Sequence, residues 1–233
     1  MRSESTFLSC TLALVMLSSP LAAADAKTKT AERLDDAATL FSEIMDTPDK
    51  SIPQDLLEKS HCVVLVPGLK KAAFGLGGKY GRGFAICRAA GAPGWGPPAA
   101  IRIEGGSVGF QIGVSSSDVV MLVMNESGMK KLSSSKFTIG GDATAAAGPV
   151  GRNATAQTDA FMTAEILSWS RSKGLFAGIS LDGATLRNDL DENQTLYGQR
   201  WTSKQILGSG ATIPADAQKL VTTLNKHSAK ESK

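Results

Sequence analysis

Two glycine-rich strings are the first places in this sequence where residue types and spacing could do chemistry. Residues 75–83 suggest a nucleotide loop, but Tyr80 stands where the dinucleotide fingerprint requires Gly and where a P-loop requires Ser or Thr. Residues 105–109 match the nucleophile elbow Gly-x-Ser-x-Gly. That elbow needs a strand-to-helix turn, whereas residues 110–114 continue as a strand. Neither string therefore predicts the activity that its pattern usually carries.

Histidines and paired carboxylates are too sparse for a conventional catalytic or metal site. The sequence has two histidines, His61 and His227, and neighbouring strand residues such as His61 and Cys62 point to opposite faces. We find no carboxylate pair whose spacing indicates shared acid/base work. We therefore expect a non-enzyme with no catalytic residues, no cofactor and no metal.

The basic residues between positions 70 and 88 are more informative. Five of them bracket the first predicted hairpin, Phe74 and Tyr80 are interleaved with them, and no acid occurs between Glu58 and Glu104. A basic, partly apolar surface can contact anionic lipid headgroups, where each Lys or Arg contributes about 1 kcal/mol. The same pattern also fits a solvated loop with lysines at strand ends. The residues are Lys70, Lys71, Phe74, Lys79, Tyr80, Arg82 and Arg88.

The composition bounds the size and the partners of the protein. A chain of 233 residues with 42% hydrophobic content is long enough for one domain with a real core. Its net charge of +3 is too small for the strong basic field of nucleic-acid binders. We therefore expect no nucleic-acid partner.

Residues 1–24 predict a secretory signal peptide. Arg2 supplies a positive end, residues 7–17 an apolar run, and residues 22–24 a small-residue cleavage site. We expect an exported protein, periplasmic or secreted, that can sit peripherally on the cell envelope. Cys62 and Cys87 are the cysteines left after cleavage, and they can form a disulfide in an oxidising compartment. Two small buried thiols are the alternative.

Hydrophobic periodicity predicts helices at both ends of the chain. Residues 31–45 have the spacing of an amphipathic helix with an acidic polar face, and the segment 25–60 is expected to pack on the domain behind it. Start and stop signals place three further helices and a frayed tail near the end of the chain. These lie at residues 189–197, 202–207, 214–225 and, for the tail, 228–233.

The middle of the chain predicts strands. Short apolar runs between residues 62 and 125 are separated by Gly, Pro, Ser and Asp clusters, and residues 160–170 and 175–181 predict a hairpin. Strands at such short intervals favour an antiparallel sheet. We therefore predict an α+β fold in which an antiparallel β core, barrel-like or sandwich-like, is flanked by N- and C-terminal helices, with the core domain spanning residues 61–227.

Five strings in a fixed order give the chain a family resemblance. Together they resemble the SYLF domain, also called the Ysc84-type or DUF500 domain, over about residues 30–227. The five strings are Phe110–Gly113, Asp118–Val123, Ala147–Ala154, Ser170–Gly183 and Leu196–Gly198.

The resemblance implies lipid binding without catalysis. Eukaryotic SYLF proteins bind phosphoinositide-containing membranes and some bind and bundle actin, whereas bacterial members occur as exported, stand-alone domains described as lipid-binding. We therefore expect a bacterial periplasmic or envelope protein that binds anionic phospholipid or phosphoinositide-type membranes. The alternative is a structural or protein-interaction role in the envelope. The signal peptide argues against actin as a partner.

The resemblance and the basic run together define an expected lipid-binding surface. Lys70, Lys71, Lys79 and Arg82 are expected to attract headgroups, with Tyr80 beside them. Arg152, Arg171 and Lys173 are expected to add to that surface, and Phe74 and Phe176 to touch acyl chains. The sequence leaves open which lipid binds, whether it binds as a membrane or singly in a cavity, and the oligomeric state.

Overall fold

The structure is a computed structural model that describes residues 20–47, 51–89, 93–151, 163–172, 175–208 and 210–228. Within these ranges the α-helices are α1 Pro20–Asp46, α2 Gln54–Lys59, α3 Glu126–Leu132, α4 Leu190–Tyr197, α5 Ser203–Gly208 and α6 Gln218–Ser228, with a 3-10 helix at Ala215–Ala217. The strands are β1 Cys62–Cys87, β2 Ala99–Val123, β3 Lys136–Thr138, β4 Ala145–Ala147, β5 Ile166–Ser172, β6 Leu175–Gly178 and β7 Thr185–Asn188. Most of the predicted signal peptide, residues 1–19, lies outside the described residues.

The first two strands are long and pair antiparallel along almost their whole length. Their register runs from Cys62 opposite Val123 to Ala85 opposite Ala99, with irregularities between Val66 and Leu69 and between residues 74 and 76. The sequence pattern predicts several short strands here, and that division is wrong. Bulges at Pro67–Gly68 and near residue 75 bend the ladder without ending it.

Strand β1 curls so far that its two ends meet. A disulfide joins Cys62 to Cys87, and the Arg88 N–H donates to the His61 carbonyl at 2.9 Å. A Cβ placed on Gly83 would lie 2.0 Å from the Leu65 carbonyl oxygen, so only glycine permits the strand to cross itself there. Residues 69–81 of β1 and their partners at 103–117 of β2 therefore form a closed excursion, which we call the ribbon loop.

The remaining strands extend the sheet from both halves of β2. Strand β5 pairs with β2 near its C-terminal end, and β6 pairs with β5, so the hairpin predicted from the sequence is confirmed. Strand β7 pairs with the other half of β2 and carries β3 on its outer edge. Strand β4 pairs with β5 in parallel. The α+β class is confirmed, although β4 makes the sheet mixed instead of purely antiparallel.

Alternate residues of the central strands face two hydrophobic cores, as the pleat of a strand dictates. Val63 and Leu65 belong to one core and Val64 and Val66 to the other. The first core is covered by α1, α2 and α6, and Phe41 of α1 is fully buried in it. The second core lies on the other face of these strands and includes Leu132 of α3 and Phe137 of β3.

The C-terminal helices begin and end close to the predicted positions because local signals fix them. The Asp189 carboxylate accepts the Glu192 N–H at 3.2 Å and caps α4. The same helix ends at Gly198, whose φ is +72°, a left-handed conformation that favours glycine. The helix predicted from residue 214 starts as the 3-10 turn after Pro214 and continues as α6.

Candidate functional site

The ribbon loop carries three of the basic residues that the sequence singles out, namely Lys70, Lys71 and Lys79. Lys70 and Lys71 are exposed, and so is Ala72 after them. Residues 113–116 of β2, which pair with this limb, are exposed as well. Successive residues of a strand point to opposite faces, so a run of exposed residues means that both faces of the ribbon meet solvent. The ribbon loop therefore leaves the body of the domain at this point.

Lys79 lies on the returning limb of the ribbon loop. Its Nζ donates to the Asp182 carbonyl at 3.3 Å. Partial burial and the charge of Lys71 lower the pKa of Lys79, and Asp182 partly offsets them. The two limbs thus hold Lys71 and Lys79 close enough to repel one another. In the part of the chain that the structure describes, neither these two lysines nor Lys70 forms an ion pair with a carboxylate.

Two large apolar side chains are exposed, one in the ribbon loop and one on β6. Val114 is 82% exposed and pairs with Ala72 in the ribbon loop, and Leu175 at the start of β6 is 67% exposed. Arg171 of β5 pairs with Asp118, the residue after the β2 limb of the ribbon loop, and Leu175 pairs with Ser172, the next residue of β5. Val114 and Leu175 are not among the residues that the sequence predicts for the lipid-binding surface. A signal for Val114 exists, since it is an isolated apolar residue next to three serines.

Tyr80 follows Lys79 on the returning limb and is 48% exposed. Among the aromatic residues of the predicted surface whose side chains the structure describes, Tyr80 is the exposed one, with about half of its surface in solvent. Phe176 instead is partly buried and packs against the helix-covered core. The side chain of Phe74 and the whole of Arg152 and Lys173 lie outside the described part of the chain.

Arg82, on the inner end of the ribbon loop, is engaged inside the protein. Its Nε donates to Asp189 at 2.6 Å and lies 3.4 Å from Glu192. Both carboxylates are at most 2% exposed, and Arg33 of α1 contacts Glu192 from the other side. The hydrogen bond to Asp189 raises the pKa of Arg82 further, while burial raises the pKa of Glu192. This cluster ties β1, α1 and α4 together.

Arg171 is engaged in a second cluster at the base of the ribbon loop. Its guanidinium donates to Asp118 at 2.9 and 3.0 Å and to Glu43 of α1. Asp118 also accepts the Gly68 N–H at 2.9 Å, where β1 bends into the loop. Arg171 therefore fixes α1 and the loop base, and most of its charge is already balanced.

The glycine-rich string at residues 147–154 has a packing role in its described part. A Cβ on Gly148 would lie 2.0 Å from the ring of Trp169, and the Trp169 Nε1–H donates to the Pro149 carbonyl at 2.9 Å. The Gly151 N–H donates to the Ser51 carbonyl at 3.1 Å. This segment thus seals the core over Trp169, which is fully buried.

The described residues contain neither a candidate metal site nor a membrane-spanning helix. Among the described residues, no three His, Cys, Asp or Glu side chains come together in a group that could hold a metal ion. In the same part of the chain, no helix combines the length and the apolar character needed to cross a membrane.

Comparison with known proteins identifies relatives of this arrangement. A family profile described as "Ysc84: Las17-binding protein actin regulator" matches residues 104–227. Protein YSC84 of Saccharomyces cerevisiae is 32% identical over 179 residues, which are 76% of this chain and 38% of the yeast protein. SH3 domain-containing YSC84-like protein 1 of Xenopus laevis is 32% identical over 204 residues, which are 87% of this chain and 60% of that protein.

A third relative has the same partial relationship. LAS seventeen-binding protein 3 of Saccharomyces cerevisiae is 33% identical over 172 residues, which are 72% of this chain and 37% of the yeast protein. The chain thus spans between about two fifths and three fifths of the length of these curated relatives. The profile itself covers more than half of the chain. The chain therefore belongs to the Ysc84 (SYLF) family.

Proposed function

We propose that this chain is a non-enzymatic lipid-binding module whose ribbon loop docks on anionic membrane surfaces. The observation that carries the proposal is the set of three lysines, Lys70, Lys71 and Lys79, that project from or line a loop and have no carboxylate partner among the described residues. Lysine ammonium groups near an anionic surface contribute about 1 kcal/mol each. Val114 and Leu175 add exposed apolar side chains that can enter the boundary between headgroups and acyl chains.

The proposal assigns different roles to the lysines and the arginines. Arg82 and Arg171 already have two acidic partners each, so a headgroup would have to displace those partners to reach them. Lys70 and Lys71 need no such displacement, whereas Lys79 would have to release the Asp182 carbonyl. We infer that the contact surface consists of the lysines of the ribbon loop, with Tyr80 at its margin, and that the arginines hold its base.

We also propose that the mature protein is exported, to the periplasm or beyond, and can bind the envelope peripherally. Residues 23–29 of α1 are exposed, and burial along this helix begins at Thr30. Cleavage after Ala24 would therefore leave the buried contacts of α1 in place. The Cys62–Cys87 disulfide is also typical of proteins from oxidising compartments.

Flotation with liposomes tests the membrane proposal. The protein should float with vesicles that contain phosphatidylglycerol or a phosphoinositide and remain behind with phosphatidylcholine alone, and added salt should weaken the binding. Lys70→Gln/Lys71→Gln should lower the partition coefficient about 30-fold, since two lysines contribute about 2 kcal/mol. The matched control is Lys130→Gln/Lys204→Gln, which removes the same charge from exposed positions on α3 and α5.

Three results would contradict the proposal. One is equal behaviour with neutral and anionic vesicles, and another is binding that salt does not weaken. The third is an equal loss of vesicle binding in the ribbon-loop variant and in the control variant, because binding would then depend on the net charge of the protein and not on the position of the lysines. The unfolding temperature of each variant serves as the check that the fold is intact.

A protein partner is the second candidate, favoured by the printed descriptions of the relatives. The family description names Las17 binding and actin regulation for other proteins, and a partner of either kind could meet the same exposed lysines and apolar side chains. Co-sedimentation with actin filaments and a crosslinking pull-down test this candidate. A stoichiometric partner, recovered by a protein that ignores every vesicle, would favour it over lipid.

A further inference from the structure

The Cys62–Cys87 disulfide closes a covalent ring around the ribbon loop. Its two cysteines are the first and last residues of β1, so the ring contains the whole β1 limb of the loop, including Lys70, Lys71 and Lys79. The other links between the ends are the hydrogen bond from Arg88 to His61 and the close backbone approach at Gly83. The disulfide is therefore the one covalent element in the crossing.

The crossing brings the starts of the two lysine-bearing limbs into contact, since a Cβ on Gly81 would lie 3.2 Å from the Leu69 Cα. Lys71 leaves the crossing on the outgoing limb and Lys79 returns on the other, and the charge of Lys71 is felt at Lys79. Two like charges do not approach one another unless the backbone holds them. If the crossing opened, the limbs could separate and the lysines would no longer act on one patch of membrane.

Of the two buried cysteines, Cys87 is the one that lines a cavity. Cys62 is fully buried, whereas Cys87 is 4% exposed and lines a cavity of about 530 Å³ together with Trp95, Leu207 and Ile213. A small dithiol can enter a cavity of this size, which is well above the volume of a few water molecules. Cys87 is therefore the cysteine of the pair that a small dithiol in this cavity would meet.

We propose that the Cys62–Cys87 disulfide is a redox-controlled clasp that sets the lipid affinity of the ribbon loop. A dithiol thiolate attacks the Cys87 sulfur, forms a mixed disulfide and releases the Cys62 thiolate, which takes a proton. The second thiol of the reagent then closes its own disulfide and releases Cys87 as a thiol. Two electrons pass from the reagent to the protein, and the reagent leaves oxidised.

The clasp rests on the proposed membrane function, but its structural part can be measured without lipid. Dithiothreitol is the probe, and hydrogen exchange over residues 62–87 is read beside flotation with phosphatidylglycerol vesicles. Reduction should speed exchange in the ribbon loop and weaken vesicle binding about fivefold, the contribution of one displaced lysine. The helical circular dichroism should stay unchanged, and reoxidation should restore both readouts.

The variant Cys62→Ala/Cys87→Ala is the control, since it should bind vesicles weakly with or without dithiothreitol. If this variant does not fold, wild-type protein reduced and alkylated with iodoacetamide takes its place. Unchanged exchange after complete reduction overturns the clasp, and so does global unfolding, which would make the disulfide a staple of the whole fold. If neither redox state binds vesicles, the membrane proposal and the control of lipid affinity both fail, and faster exchange in the ribbon loop supports only the structural closure by the disulfide.

Discussion

Gly83 should be a residue at which a single added methyl group strongly destabilises this fold. A Cβ at this position would lie 2.0 Å from the Leu65 carbonyl oxygen and 2.8 Å from the Val66 Cα. An ordinary contact needs about 3.4 Å, so the two passes of β1 would have to separate by more than 1 Å. Both neighbours are backbone atoms and cannot rotate away. Overpacking of a tight site costs about 1–3 kcal/mol, and we place Gly83→Ala at about 3 kcal/mol.

Thermal unfolding followed by circular dichroism measures this cost. For a chain of this size, 1 kcal/mol corresponds to about 2–4 °C, so Gly83→Ala should lower the unfolding temperature by about 6–12 °C. Gly106→Ala is the matched control, because Gly106 lies in β2 with nothing within 4 Å of its Cβ position. A change of less than 2 °C for Gly83→Ala, or an equal loss in Gly106→Ala, would refute the self-crossing of β1.

Two further predictions concern buried charges. Burial alone would raise the pKa of Glu165, but hydrogen bonds, chiefly from Lys131, lower the pKa to about 2 from its ordinary 4.5. The contribution of the Glu165 carboxylate to the free energy of unfolding is therefore complete above pH 4.5 and is lost as the pH falls toward 2. Urea unfolding at pH 7 and pH 3 measures how much free energy of unfolding each protein loses on acidification. Glu165→Gln lacks the titrating carboxyl, so its loss should be about 2 kcal/mol smaller than that of wild type. Equal losses in the two proteins would contradict the shifted pKa. Arg82→Gln should cost about 3 kcal/mol in the same assay at pH 7, because it removes one of the guanidinium partners of two buried carboxylates. Lys71→Gln should lower the free energy of unfolding by less than about 0.5 kcal/mol. Similar losses in Arg82→Gln and Lys71→Gln would contradict the distinction between structural arginines and surface lysines.

The parts of the fold that the sequence predicts are those with local physical signals. Helix α4 can be read from Asp189 at its start and Gly198 at its end, since a cap and a left-handed glycine act within one turn. The β5–β6 hairpin follows from two apolar runs around a tight turn. Strands β3, β4 and β7 have three or four residues each, which is too short for an alternation to stand out.

The continuity of β1 and β2 could not be predicted for a different reason. Gly and Pro usually end a strand, and at Pro67–Gly68 they instead make a bulge because the partner strand continues opposite. Only the tertiary pairing of Val66 with Val119 and of Leu69 with Ser117 reveals this. The crossing of β1 over itself likewise depends on residues 18 positions apart, Leu65 and Gly83, and no local pattern encodes it.

The candidate surface could be predicted as a set of basic residues but not as a set of free charges. Arg82 is separated by 107 positions from its partner Asp189, and Arg171 by 53 positions from Asp118. A composition window around residues 70–88 contains no acid, yet the fold brings acids to Arg82 from α4. Sequence separation therefore hides which of the positive charges are already balanced.

Among the described residues, Arg82 and Arg171 are paired with carboxylates and the ribbon-loop lysines are not, because different side chains lie opposite them in the fold. A guanidinium is less strongly hydrated and forms forked hydrogen bonds, so it suits buried carboxylates, and Arg82 and Arg171 occupy such positions. Lys70 and Lys71 instead face Ser116 and Ser115 across the ribbon. An opposite charge directly across a strand pair would have formed a cross-strand ion pair. The serine limb of β2 supplies no opposite charge, so Lys70 and Lys71 remain available for an anionic ligand. Ser115→Asp should weaken vesicle binding, because the new carboxylate would pair with Lys71.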